Sequence, residues 1–571
     1  MKKIIYIALT ALLMAGCHFL DFDETSSLYE RDDMYSTYSN IQKMLTNIYG
    51  YMPSKDIADV SSALRDCGSD DAEYADPDAS VQLFTNGNWS PVQTVDTKWT
   101  FYNAIRSSNE FLESMKTVDI SRYKYDAKYP QYLEHLALYP YEARTLRAFY
   151  LFELARRYGD IAMPVDRMLS VEEANSIGKT PFDDVIKYIA EECDTCAKYL
   201  PDSYIDMLDA EYGRVTRGFA MALKTKALLY AASPLHNSDG DVEKWTKAGL
   251  AAKAVMELKD KNGLAVYGLE PGEKANYQPA AAYQAGSEVI LQIMRSESNS
   301  FEKYNFPVRF TMGARSSMAG TYPTQDLVDA FQTVGGYDVT LEADGWHCDD
   351  PAFDATKPYT GRDPRFERAV LADGMPFKGS TIDVSVGGLD YSATRQDLGT
   401  VTGYYLRRYI IESCDFTPEA EVSGKHSWIV SRFAEILLSY AEAVNEVLGP
   451  DGTNADFTLS ARAALNQVRA NAGMPNVTVG GKDEFRKAVQ REWRVEFAFE
   501  DHRFWDVRRW KIGEATQKSV SGVEITNDGG NKVYKRKLVE NRTWDDKMYL
   551  YPIPQSELFC DPNLGPQNPG W

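Results

Sequence analysis

The side chains best suited to acid–base chemistry are three glutamates at four-residue steps, Glu492, Glu496 and Glu500, followed by His502. Two carboxylates can act as the acid and base of a glycosidase when they face each other across a cleft, about 5 to 10 Å apart. Residues four apart on one helix share a face, so these carboxylates point in the same direction. The surrounding sequence also contains Arg491, Arg494, Arg503, Arg508 and Arg509. We interpret the group as a structural ion-pair network.

Other sequence motifs give no stronger indication of catalysis or metal binding. The sequence contains no HExxH, no GxSxG, no phosphate-binding loop and no dinucleotide fingerprint, and its six histidines show no ligand spacing. Cys193 and Cys196 lack a second pair, which favours helix-packing thiols over a zinc or redox site. The loop 451–456 lacks the acidic pattern of a calcium loop, which favours a polar turn. We expect no enzymatic activity and no cofactor, and a structural calcium ion is possible but unsupported.

Charge and composition narrow the classes of function. The 571 residues carry a formal net charge of −21, whereas a nucleic-acid binder needs a cationic surface. The hydrophobic content of 44% is typical of a folded protein. The 36 tyrosines and 10 tryptophans exceed what a helical core of this size needs. We therefore expect no nucleic-acid partner, and we expect some of the aromatic rings to lie on the surface.

The first residues have the pattern of an export signal. Lys2 and Lys3 precede an apolar run over 4–14, which is too short to span a bilayer. The run ends in LMAGC, which resembles the lipobox of bacterial lipoproteins. This pattern predicts a signal peptide at 1–16, a lipid on Cys17 and an acidic tether over 17–33. An ordinary secretory leader with an incidental cysteine is the alternative.

Apolar residues at helical spacing predict two groups of helices separated by a different region. The first group covers 34–49, 95–115, 141–158, 181–200, 216–232 and 243–258, in pairs joined by short turns. The second group covers 428–448, 459–472 and 484–510. Between them, 261–427 is rich in glycine, proline, tyrosine and aspartate, with short strand-like runs such as 289–293. The proline-rich tail is predicted to be non-helical and to lie on the surface.

Several of these segments together resemble the SusD/RagB family of outer-membrane nutrient-binding lipoproteins. They are FLDFDE after Cys17, ARTLRAFYLFELARRYGDIAMPV, RVTRGFAMALKTKALLYAASPLHN, TYPTQDLVDAF, GRDPRFERAV, SRFAEILLSYAEAVNEV, ALNQVRANAGMP, REWRVEFAFEDHRFWDVRRW and LYPIPQSELFCDPNLGPQNPGW. The order of these segments along the chain is the one expected of the family. The resemblance implies a mostly α fold, in which a tetratricopeptide-like helical-repeat scaffold carries a large loop-rich insertion with a few short strands. A single domain is expected over 34–571, divided into 34–260, 261–427 and 428–571.

The resemblance also implies a function. It implies a cell-surface lipoprotein, anchored in the outer membrane through Cys17, that binds an oligosaccharide or polysaccharide. A TonB-dependent transporter of the SusC type would be its partner and would receive the nutrient. The alternative is a surface protein that binds a host protein or peptide through its helical repeats.

Two loop stretches, 65–89 and 297–359, combine aromatic rings with planar polar groups. Aromatic faces suit the C–H surface of a sugar ring, and planar polar groups suit its hydroxyls. The resemblance implies that ligand-binding aromatics lie in these two regions. The predicted ligand-binding residues are Arg65, Asp70, Asn88, Trp89, Tyr304, Trp346 and Tyr359.

Overall fold

The protein is mostly helical, as expected, and a computed structural model describes residues 34–52, 59–165, 167–208, 211–271 and 287–571. The predicted signal peptide, lipidation site Cys17 and most of the tether lie outside the described residues. The helices are α1 Tyr38–Tyr49, α2 Phe101–Met115, α3 Tyr129–Tyr158, α4 Val171–Ala174, α5 Phe182–Cys196, α6 Arg217–Ala232, α7 Val242–Met256, α8 Ser300–Asn305, α9 Gln325–Val328, α10 Phe366–Ala369, α11 Phe433–Leu448, α12 Ala461–Asn471, α13 Lys482–Glu496, α14 Arg503–Arg509, α15 Gly513–Thr516 and α16 Gln555–Cys560.

The strands of the described residues pair only as two-stranded antiparallel sheets. The pairs are β1 Asp59–Val60 with β2 Ala63–Leu64, β3 Ala72–Tyr74 with β5 Thr321–Pro323, β4 Val289–Met294 with β12 Ser427–Arg432, β6 Val339–Glu342 with β7 Gly345–Cys348, β8 Val370–Leu371 with β11 Tyr405–Leu406, β9 Pro376–Phe377 with β10 Ser380–Thr381, and β13 Ser519–Asp528 with β14 Asn531–Asn541. Four of the seven pairs are local hairpins, and the pairs β3–β5, β4–β12 and β8–β11 join segments that are distant in sequence.

Consecutive long helices pack against each other and form the scaffold. The order of packing runs from α2 to α3, then α5, α6, α7 and α11, and α11 also packs on α12 and α13. Local sequence explains how these helices begin: Thr216 caps α6 by accepting the Phe219 N–H on its hydroxyl. Cys193 and Cys196 are buried in α5, which is the packing role predicted for them.

Several predicted boundaries are wrong. Residues 428–432 form the strand β12 rather than the start of a helix, because they pair with β4 in the register Trp428–Ile293. The predicted helix 484–510 is two helices, α13 and α14, and between them Phe499 and Asp501 have positive φ, which an α-helix does not accommodate. Helix α3 begins well before residue 141 and accommodates Pro140.

The C-terminal tail also differs from its prediction. It contains the helix α16, which begins directly after Pro554. The proline precedes the helix, so its missing N–H removes no hydrogen bond from the helix interior. Tyr551 and Ile553 are buried in the core rather than spread over the surface. The tail is thus an integral part of the folded unit.

Candidate functional site

A cavity of about 360 Å³ opens between β1–β2, the residues that follow β4, the helix α8 and the start of β12. The β1–β2 turn is Ser61-Ser62, and both residues have positive φ, as a tight two-residue hairpin turn requires. The β4–β12 pairing continues past the strands, since the Arg295 N–H donates to the carbonyl of His426 at 3.1 Å. Three distant segments therefore meet around one cavity, which we call the α8 cavity.

Aromatic rings line one side of the α8 cavity. Phe301 and Tyr304 lie three residues apart on α8, so they share a face of that helix, and both are partly exposed. The Phe301 ring stands edge-on to Trp428, with centroids 5.1 Å apart. Trp428 stacks on His426, with centroids 5.3 Å apart and planes at 7°. This side of the cavity provides flat apolar surface on a packed support.

Polar side chains line the rest of the cavity. Asp59, Arg295 and a series of serines supply a carboxylate, a guanidinium and hydroxyl groups. Burial lowers the pKa of the Arg295 guanidinium, as expected for a cation partly withdrawn from water. The Asp59 carboxylate accepts the Ser62 N–H at 2.9 Å. Such groups can donate to or accept from the hydroxyls of a sugar.

The buried carboxylate of Glu302 fixes α8 in place. One of its oxygens accepts the Ile411 N–H at 3.0 Å and lies 2.9 Å from Nε2 of His426. Because Glu302 lies between Phe301 and Tyr304 in sequence but points into the core, it holds the helix with the two rings on the cavity side. The aromatic surface is therefore largely pre-formed.

The family model of the SusD family matches residues 283–571, which is just over half of the chain. The chain belongs to the SusD family. SusD-like protein P2 of Formosa agariphila is 24% identical over 589 aligned residues, covering 100% of this chain and 99% of that protein.

Solved structures of SusD-like proteins have the same fold. A SusD-like protein from Bacteroides fragilis is 26% identical, with a TM-score of 0.76 over 95% of this chain and 99% of its own. A SusD-like carbohydrate-binding protein from the same species is 23% identical, with a TM-score of 0.71 over 93% of this chain and 100% of its own. Among the described residues, no helix has both the length and the apolar composition needed to cross a bilayer.

The structure of this SusD-family protein places two predicted ligand residues in a buried ion-pair core. Arg65 is fully buried, where its guanidinium binds the carboxylates of Asp96 and Asp501. Asp70 is buried and accepts two hydrogen bonds from Arg503, both at 2.8 Å. Although burial opposes ionisation, Arg494 and Arg503 outweigh it and hold the pKa of Asp70 well below its usual range. The polar atoms of both residues already face protein partners, which does not favour the predicted ligand role, and that role stays a prediction.

The predicted platforms Trp89 and Tyr359 also lie in the core. Trp89 is 2% exposed and packs edge-on against Phe84, Tyr551 and Trp571. Tyr359 is buried, and its hydroxyl lies 3.1 Å from that of Tyr404. Neither ring offers a face to a ligand in this structure, because the C-terminal tail and the loops cover them.

The three remaining predicted residues reach the surface. Tyr304 lines the α8 cavity. Trp346 is half-buried and packs on Tyr359, with ring centroids 5.8 Å apart, outside that cavity. Asn88 is exposed in a turn where its N–H donates to the Asn86 side chain at 2.9 Å. The ligand roles of Asn88 and Trp346 stay predictions.

Sequence reasoning missed Arg295, Phe301, His426 and Trp428 as neighbours of Tyr304. A usable signal was the spacing of Phe301 and Tyr304, which places two rings on one helical face. Trp428 was assigned to a helix, so its pairing with β4 and its place beside Phe301 did not emerge. The approach of β12 to α8 is a tertiary contact without a local signature.

Glu492, Glu496 and Glu500 form an ion-pair network, as predicted, but their arginine partners come from distant segments rather than from the neighbouring sequence. The neighbouring Arg491, Arg494, Arg503 and Arg509 bind other carboxylates. Arg365 binds Glu492 and Glu496, and Arg432 binds Glu496 and Glu500. The Asp451 carboxylate of the polar loop binds the Arg462 guanidinium through both oxygens, at 2.7 and 2.9 Å. In the described part of the chain, no three His, Cys, Asp or Glu residues are grouped so as to hold a metal ion.

Proposed function

We propose that this SusD-family protein binds an oligosaccharide or polysaccharide in the α8 cavity without changing it chemically. The observation that carries the proposal is that one cavity is lined both by the partly exposed rings of Phe301 and Tyr304 and by polar side chains. Family membership supports it, as does the fold shared with a SusD-like carbohydrate-binding protein from Bacteroides fragilis.

The energetics suit reversible capture. Each aromatic contact adds about 0.5–1.5 kcal/mol beyond the burial of apolar area. A few such contacts with several hydrogen bonds give an affinity in the range of about 1 μM to 1 mM. Ligand release at this affinity is fast enough to pass a nutrient onward.

We also propose the setting of this activity. The lipobox-like LMAGC supports lipidation of Cys17 and anchoring in the outer membrane, with the protein exposed at the cell surface. The family resemblance supports a SusC-like TonB-dependent transporter as the partner that receives the glycan. A protein anchored next to its transporter raises the effective concentration of ligand at the entrance of that transporter.

Calorimetric titration of the chain from His18 onward tests the binding proposal. The probes are neutral gluco-oligosaccharides with α-1,4 or β-1,3 linkages and uronic-acid oligosaccharides, with product analysis after long incubation. We expect saturable binding of at least one class and no shortened products. No binding of any glycan together with tight peptide binding would favour the alternative function, and turnover of a bound glycan would contradict the non-enzymatic proposal.

A further inference from the structure

A second cavity, of about 290 Å³, lies between α2, the residues 162–164 and 168–177, and α16. We call it the α2 groove. It shares no lining residue with the α8 cavity. Its apolar lining includes Trp99, Tyr102, Met168, Leu169, Ile177 and Leu564.

Hydrogen bonds of Asn109 join two walls of the α2 groove. The Asn109 side chain on α2 donates to the carbonyls of Pro164 and Arg167, at 2.7 and 3.3 Å. Its own carbonyl oxygen accepts from Arg147 at 2.6 Å. Asn109 is 5% exposed, and these bonds fix Pro164 and Arg167 against α2. The groove is thus a built feature of the fold.

The two sides of the α2 groove carry opposite charges. Arg106 lines it from α2, and within the described part of the chain its guanidinium makes no hydrogen bond or ion pair. Glu557 and Asp561 line it from the side of α16. Tyr102 lines the same groove, and burial raises the pKa of its hydroxyl, with a smaller increase from the carboxylates of Glu557 and Asp561.

The charged groups on the two sides of the groove limit the kind of ligand. Arg106 lies one helical turn beyond Tyr102, which is about 6 Å along α2. Asp561 accepts two hydrogen bonds from Asn563, both on one carboxylate oxygen. Glu557 accepts one hydrogen bond, from the hydroxyl of Ser556 at 3.3 Å, and makes no ion pair within the described residues, so its negative charge is available to a cation. A ligand that matches the groove has an apolar body with a carboxylate at one end and an ammonium group at the other.

We propose that the α2 groove binds a short zwitterionic peptide with apolar side chains, with its carboxylate on Arg106 and its ammonium group on Glu557. The apolar side chains fill the space lined by Trp99, Met168 and Leu169. A cavity at the lower end of the usual range for ligand sites encloses only about one or two residues of peptide. This site goes beyond the proposed glycan function and does not depend on it.

Titration with the dipeptide Leu-Leu and two analogues tests the proposal in the chain from His18 onward. N-acetyl-Leu-Leu lacks the ammonium charge, and Leu-Leu amide lacks the carboxylate. Charge-assisted hydrogen bonds are strong, so we expect each analogue to bind about tenfold more weakly than Leu-Leu. Tryptophan emission should change on binding, and Trp99→Phe should abolish that change.

Variants of Arg106 and Glu557 test which protein side chain binds each charged end of the peptide. Arg106→Gln should bind Leu-Leu and its amide equally, and Glu557→Gln should bind Leu-Leu and its N-acetyl form equally. The exposed controls Arg122→Gln and Glu421→Gln should keep the discrimination of the unmodified chain. Glycan affinity should stay unchanged in all four variants. The proposal is overturned if Leu-Leu does not bind at concentrations up to about 10 mM, or if all three peptides bind the unmodified chain equally.

Discussion

The carboxylate of Glu302 lies 2.9 Å from Nε2 of His426 and joins the helix that carries Phe301 and Tyr304 to the strand that carries Trp428. Both partners are buried. The same carboxylate accepts the Ile411 N–H, so one side chain connects three segments that are distant in sequence. The aromatic side of the α8 cavity therefore depends on a polar residue beneath it.

Glu302→Ala should weaken both the fold and glycan binding. The substitution leaves the Ile411 N–H and the His426 ring without their acceptor, and each buried group left unsatisfied costs about 1–3 kcal/mol. Denaturant unfolding and calorimetric titration measure the two effects. Glu302→Gln keeps an acceptor oxygen and should restore most of the affinity, whereas equal losses in both variants would contradict a positioning role.

Tyr304→Ala should lower glycan affinity without a comparable loss of stability. Removing a partly exposed ring eliminates a stacking surface worth about 0.5–1.5 kcal/mol beyond burial, so the dissociation constant should rise about 2- to 10-fold. Calorimetric titration measures the change. Tyr125, which is 90% exposed and outside the cavity, provides the control Tyr125→Ala. Unchanged affinity in Tyr304→Ala would remove this residue from the site.

Trp89→Ala should destabilise the protein and leave the glycan affinity of the folded fraction unchanged. The indole packs against Phe84, Tyr551 and Trp571, and truncation of a buried aromatic side chain costs about 3–5 kcal/mol. Urea unfolding should show the loss. If the variant is as stable as the unmodified chain but binds glycan more weakly, Trp89 contributes to the ligand site instead.

Much of the scaffold could be predicted from local sequence. The spacing of apolar residues predicted most of the long helices, including 216–232, and in the structure α6 begins where Thr216 accepts the Phe219 N–H. The run 289–293 was predicted to be strand-like because it is a short apolar segment, and β4 covers it. These features depend on residues close together in the chain.

Side-chain burial in the loops could not be predicted in the same way. Arg65 and Trp89 lie in a glycine- and asparagine-punctuated stretch, yet their partners Asp501 and Trp571 are hundreds of residues away. The local sequence of such a stretch predicts that a polar or aromatic residue is exposed. Its burial depends on a distant segment that covers it in the folded protein. Tyr304 was predicted for the site, whereas Trp428 was missed because β12 forms only by pairing with β4.

Asp96→Asn should reduce stability at neutral pH and change the acid dependence of unfolding. Although burial opposes ionisation, Arg157 and Arg65 hold the pKa of Asp96 well below its ordinary value of 3.8. A depressed folded-state pKa means that the ionised carboxylate stabilises the fold above pH 3.8, and that this contribution is lost as the pH falls further. Removing one partner of a buried ion pair costs about 3–5 kcal/mol.

Urea unfolding at neutral pH and below pH 3.8 checks this expectation. The difference in unfolding free energy between the unmodified chain and Asp96→Asn should shrink in acid. Asp239→Asn, at an exposed aspartate, is the control. A difference that stays constant with pH would contradict the ionised state of Asp96.

Cys17→Ala should abolish anchoring. If Cys17 carries the lipid, cells producing the variant should incorporate no labelled palmitate into this protein, which should leave the membrane fraction. Cys560→Ala is the control, and it should keep both the palmitate label and the membrane location of the unmodified protein. Palmitate labelling that persists in Cys17→Ala would contradict the lipobox interpretation.

The most direct test of glycan binding in the α8 cavity is a crystal structure of the protein with the oligosaccharide that binds it best in titration. We expect sugar density in the α8 cavity, with a pyranose ring against Tyr304 or Phe301 and hydroxyls within hydrogen-bond distance of Arg295. Sugar density elsewhere on the molecule, with the α8 cavity filled only by water, would contradict it.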